Sequence, residues 1–222
     1  MTDANRRFRR LTHEQALRAL YIDFEGRKDE APVLLGIHRR GRGARPFVHW
    51  LVLDAAFGSL GAPVATLHEA VSNVVVRAEH GDRRIVAWSE HELGIVRGLA
   101  DVDPELVARF EARYANARAV AERWRNKVHG GSKPAVGRLA DYLPLAGVHL
   151  PADAVGGEVG ETILRLRGRL DRGLPPTTDQ ARRWRALLEH NRADCAGMRK
   201  VCLLAAREMG AADAPGASNT PA

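Results

Sequence analysis

Cysteine is scarce: Cys195 and Cys202 are the only two in 222 residues. Seven apart on a predicted helix, they share a face but stand roughly 10 Å apart along it, too far for a disulfide. No second pair exists to complete a structural zinc site. Long apolar runs are missing too. None approaches the roughly 20 residues that cross a bilayer, and the opening "MTDANRRFRRLTHEQALRAL" lacks the apolar core of a signal peptide. Reduced cysteines and no membrane signal lead us to expect a soluble, cytoplasmic protein with no membrane partner. Acidic residues are also outnumbered, 27 against 34 Lys and Arg, for a formal net charge of +7 and a pI of about 10.1. Such a surface attracts polyanions, nucleic acid above all. Arginine bias from a GC-rich genome produces the same excess, and composition alone does not separate the two.

What is present is enough for a core: 45% hydrophobic residues with 27% charged, the balance of a soluble globular domain. No internal repeat and no linker divides the chain. We expect a basic lead-in over 1–17, one α/β domain over 18–209 and a disordered tail over 210–222. "THEQALRAL" reads as a short helix or turn, with Thr12 and Gln15 as a capping box. Strands are predicted at 18–25, 32–39 and 46–53, the last two joined by a turn in "RRGRGAR", so the first three form an antiparallel meander. Helical spacing then predicts a helix over 64–80, a fourth strand in "DRRIVAWS", a helix in "EHELGIVRGLA" and a longer one over 104–128. "SKPAVGRLADYL" predicts a helix with Ser132 as N-cap, "GETILRLRGRL" another, and 178–209 the last.

One pattern conflicts with its surroundings. In "ALYIDFEG", Asp23 and Glu25 are two apart on a strand, so both carboxylates share a face, roughly 6 to 7 Å from each other. Partly desolvated like charges raise each other's pKa unless a cation lies between them, and a hard divalent ion takes carboxylate oxygens. Solvent at the strand end, with Arg27 and Lys28 as counterions, is the plainer account. "SEHE" poses a similar choice: Glu92 is either a further oxygen ligand or the far end of a Ser89–Glu92 capping box. In "LEHNRADC", His190, Asn191 and Asp194 fall within or beside an apolar stripe of Trp184, Leu187 or Leu188, Cys195, Met198, Val201, Cys202 and Leu204 or Ala205. His190 and Asp194 face the same way, as a local ion pair or as part of a site.

In this order, "YIDFEG", "VAWSEHEL", "GGSKPAVGRLADYL" and "LEHNRADC" resemble the ribonuclease H-like superfamily, in the branch of the DEDD-type exonucleases and the YprB-like or RecB-associated predicted nuclease domains. The resemblance spans about residues 19–205. It implies a mixed sheet, an antiparallel three-strand meander followed by parallel strand–helix units, flanked by helices. It implies a metal-dependent 3′-to-5′ exonuclease in which Asp23, Glu25, Glu92 and Asp194 hold two Mg2+ or Mn2+ ions. His190, standing where this branch usually has Tyr, is implied as general base, and Glu92 stands where most DEDD enzymes have Asp. Ser132, Lys133 and Asn191 are the implied substrate contacts. The implied partners are the single-stranded end of DNA or RNA and a helicase or other repair or processing protein. The basic stretches "RRGRGAR" and "RLRGRLDRG" either track a phosphate backbone or are solvated surface. A catalytically inactive ribonuclease H-like module that binds nucleic acid or a protein partner is the competing expectation.

Overall fold

Local chemistry sets the first element. Thr12 Oγ1 accepts from the Gln15 amide at 3.1 Å while the Gln15 side chain accepts from the Thr12 amide at 3.0 Å. That capping box starts helix α1, His13–Arg18. In the computed structural model, which describes residues 11–27, 30–40, 46–130, 137–148 and 159–212, α1 leads directly into strand β1, Leu20–Glu25. Strands β2, Leu34–Arg40, and β3, Pro46–Val52, complete an antiparallel meander. After a 3-10 turn, Ala55–Leu60, and helix α2, Leu67–His80, strand β4, Ile85–Ala87, returns parallel to β1. Helices α3, Glu90–Arg97, and α4, Pro104–Arg113, bring the chain to β5, Tyr114–Asn116, parallel to β4. Then follow α5, Ala117–Val128; α6, Leu139–Tyr142; α7, Val159–Leu170; and α8, Thr178–Ala212. Among the described residues the sheet has five strands in the order β3-β2-β1-β4-β5.

The period-two alternation of β1 decides which helices cover which face. Leu20, Ile22 and Phe24 join Val71, Val74, Val75, Leu106 and Phe110 in one buried cluster, so α2 and α4 lie on that side. Tyr21 joins Trp124, Met198, Val201 and Cys202 in another, so α5 and α8 lie on the opposite side. A third cluster sets Leu34, Val52 and Phe57 against Ile163, Leu166, Trp184 and Leu187, holding α7 and the start of α8 against β2, β3 and the 3-10 turn. Asp23 and Glu25 therefore face α8.

Two expected elements are corrected. The helix expected over 104–128 is broken by β5. Its apolar residues Leu106, Val107, Phe110, Tyr114, Ala117, Val120, Ala121 and Trp124 keep helical spacing straight through the break, which hides it. The break is made by Tyr114, Ala115 and Asn116, a buried strand at the end of the sheet, with Asn116 capping α5 through the Ala119 amide at 2.9 Å. The helix expected in "SKPAVGRLADYL" is also corrected: α6 begins only at Leu139, because Gly137 has a positive φ of 72° and Arg138 is extended as its N-cap, while Ser132 lies with 131–136 outside the described residues. So do 41–45, which hold most of the "RRGRGAR" turn, and 213–222 in the expected tail. Among the described residues no helix is long and apolar enough to cross a membrane. Cys195 and Cys202 are buried and free.

Candidate functional site

Asp23 sits opposite Gly36 in the β1–β2 ladder, and Asn191 of α8 lies over that pair. The Asn191 amide donates to Asp23 Oδ2 at 2.9 Å and to the Asp23 main-chain oxygen at 3.1 Å. Gly36 permits this contact: a Cβ there would stand 1.7 Å from Asn191 Oδ1. Asn191, expected to touch substrate, is thus fully buried and engaged with Asp23. Gly36 was missed at the level of sequence. A lone glycine inside an apolar strand, as in "PVLLGI", is the signal for such close approach.

Glu92 arrives from the C-terminal end of β4. Its Oε2 accepts from the Ser89 amide and hydroxyl, each at 3.1 Å. The expected capping box is therefore present, and Tyr114 on β5 donates its hydroxyl hydrogen to the Ser89 carbonyl. The cap does not remove Glu92 from the other acids. Its charge is among those that act on Asp23.

His190 and Asp194 project from α8, with Nε2 and Oδ2 3.4 Å apart. One ligand atom each from Glu25, His190 and Asp194 lies within 4.8 Å of the others. Arg27, considered as a counterion, instead pairs with Glu30; Lys28 lies outside the described residues.

The electrostatics follow from burial and crowding. Burial pushes the Asp23 carboxyl well above its usual range, and the charges of Glu25, Asp194 and Glu92 push it further. Burial also raises Glu25 from 4.5 to about 7, with His190 pulling it down and Asp194 pushing it up. The contact between these two carboxyls raises Asp23 and lowers Glu25. Glu92 is raised by burial against the pull of its cap, and Asp194 by burial against the pull of His190.

Glu25, His190 and Asp194 together form a donor set of the kind a divalent cation takes, while Asp23 and Glu92 stand outside that group and act on it through their charge. Two buried polar atoms there, His190 Nδ1 and Asn191 Oδ1, have no hydrogen-bond partner among the described residues. An ion in this cluster would relieve the repulsion among the acids. Ser132 and Lys133 lie outside the described residues. In "RLRGRLDRG", Arg165 pairs with Glu161, and Arg167 with Asp54 and Glu30; these cations are already engaged. No protein-family model, no curated protein and no solved structure matched this chain.

Proposed function

We propose that this chain is a metal-dependent nuclease of the ribonuclease H-like superfamily, in the DEDD-type exonuclease branch, trimming DNA or RNA from a single-stranded 3′ end. An antiparallel meander followed by parallel units, with helices on both faces, supports the fold assignment. The observation that carries the activity is the convergence of Asp23, Glu25, Glu92 and Asp194. They come from one strand, one helix start and one distant helix, close enough for the other three to act on the Asp23 carboxyl.

A protein that buries four acids together without a counter-cation bears a steep electrostatic cost. Two Mg2+ or Mn2+ ions held by these carboxylates would activate water and stabilise the leaving oxygen in phosphodiester hydrolysis. Asn191 fixes the Asp23 carboxylate by donating to Oδ2. Ser89 fixes Glu92, and Tyr114 fixes the Ser89 backbone. The +7 net charge draws the polyanionic substrate, so binding weakens as salt rises. A helicase or another repair or processing protein is the partner this reading implies.

The test is cleavage of end-labelled single-stranded DNA and RNA with Mg2+, Mn2+ or EDTA, with Asp23→Asn as control. Ion-dependent shortening from the 3′ end that disappears in EDTA and in the variant is expected. Activity surviving either condition overturns the mechanism. Binding without cleavage under every condition favours the inactive module instead.

A further inference from the structure

We propose that His190 is itself a ligand of the metal centre, through one ring nitrogen, and that it tilts the site toward Mn2+ over Mg2+. The inference rests on the metal centre of the nuclease reading and concerns which side chains and which ion make it up.

The geometry suits direct ligation. One ring nitrogen of His190 and one carboxylate oxygen each of Glu25 and Asp194 all lie within 4.8 Å of one another. Two oxygens on opposite sides of a hard cation are about 4 to 5 Å apart, given bonds of roughly 2.0 to 2.6 Å. The three ligand atoms therefore already stand near the span that one ion bridges. His190 and Asp194 are four apart on α8, so the helix holds both donors on one face. Glu25 is fixed from the other side by β1, whose backbone is paired with β2.

The ring also has hydrogen-bonding capacity to spare. His190 Nε2 stands 3.4 Å from Asp194 Oδ2, a long contact, and buried Nδ1 has no partner among the described residues. A buried imidazole nitrogen left unpaired calls for an explanation, and an ion is one of the few available.

The chemistry then distinguishes between ions. Mg2+ dehydrates reluctantly and takes oxygen almost exclusively, whereas first-row transition ions accept imidazole together with carboxylate. An all-carboxylate site serves Mg2+ well; one nitrogen among the oxygens favours Mn2+. A nitrogen lone pair committed to a metal is not free to take a proton, so ligation displaces the general-base role the family resemblance implied for His190.

The test is pulsed electron paramagnetic resonance of the full chain loaded with Mn2+, beside calorimetric titration with Mn2+ and with Mg2+. A nitrogen coupling to bound Mn2+ is expected in the wild type and absent in His190→Gln. Mn2+ affinity should fall about ten-fold or more in that variant, with a smaller change for Mg2+. His190→Tyr, which restores an aromatic ring without nitrogen, should behave likewise, and circular dichroism checks that both variants are folded. Mn2+ bound without nitrogen coupling, or coupling that survives His190→Gln, overturns the inference and leaves the nuclease reading standing. Failure of the wild type to bind either ion removes both.

Discussion

Asn191 and Asp23, 168 residues apart in sequence, are joined by a hydrogen bond of 2.9 Å from the Asn191 amide to Asp23 Oδ2. The bond fastens the long C-terminal helix to the first strand at the point where the acids converge. A second contact from the same amide, to the Asp23 main-chain oxygen at 3.1 Å, fixes the strand as well as the side chain.

Gly36→Ala tests this fastening without touching a charged residue. The new Cβ would lie 1.7 Å from Asn191 Oδ1 and 2.7 Å from its Cγ, so Asn191 must leave its place. Overpacking of this kind costs about 1 to 3 kcal/mol, read as a lower urea midpoint. Divalent-ion affinity should fall with it, because Asp23 loses its orienting donor. An alanine variant with unchanged ion affinity would show that Asn191 does not position Asp23.

The raised carboxyls make a prediction about pH. Glu25 goes from an ordinary 4.5 to about 7, and Asp23, Glu92 and Asp194 move the same way. Between pH 4.5 and 7 these carboxyls therefore hold more protons in the folded chain than in the unfolded one, and their contribution to stability falls as pH rises through that window. In EDTA the melting temperature should drop from pH 4.5 to 7. Saturating Mn2+ should flatten the decline, since an ion replaces the protons. A melting temperature that rises across the window in EDTA and is indifferent to Mn2+ would place the acids apart from one another.

His38 works against that trend and must be separated from it. It is 2% exposed, and burial, then the charge of Arg199, lowers it from 6.5 to about 4. Its contribution is intact above 6.5 and is lost as pH falls toward 4, because the unfolded chain takes the proton first. His38→Phe keeps a ring beside Tyr21, whose centroid is 6.3 Å away. The variant should lose stability less steeply than the wild type as pH falls from 6.5 to 4, measured by urea denaturation. Equal steepness would mean that His38 is protonated in the folded chain.

What the sequence disclosed, and what it concealed, follows from the range of the forces involved. The capping boxes at Thr12 and Ser89 and the two-residue alternation of β1 are local, set by neighbours within four positions, and could be read directly. Asp23 and Glu25 stood out because acids in an apolar strand are costly. The polar seam of His190, Asn191 and Asp194 stood out for the same reason. β5 did not, since Phe110, Tyr114 and Ala117 carry the helical period straight through it and only pairing with β4 makes it a strand. Gly36 was equally hidden, because its importance comes from a helix more than 150 positions away.

Glu92 combines two roles that substitution can separate. Its Oε2 caps α3 through the Ser89 amide and hydroxyl, while its charge presses on Asp23. Glu92→Gln keeps an oxygen able to accept from Ser89 and removes the charge. Glu92→Ala removes both, and Ser89→Ala removes only the hydroxyl. Loss of a cap costs about 1 kcal/mol, so in EDTA at neutral pH the alanine variants at 92 and 89 should melt earlier than Glu92→Gln. Glu92→Gln should melt at or above the wild type, because it removes a buried acid whose pKa is raised. Ion titration should give the opposite grouping: Ser89→Ala close to wild type, both substitutions at 92 greatly weakened. If Glu92→Gln binds Mn2+ as the wild type does, Glu92 is a helix cap alone, and the metal centre is built without it.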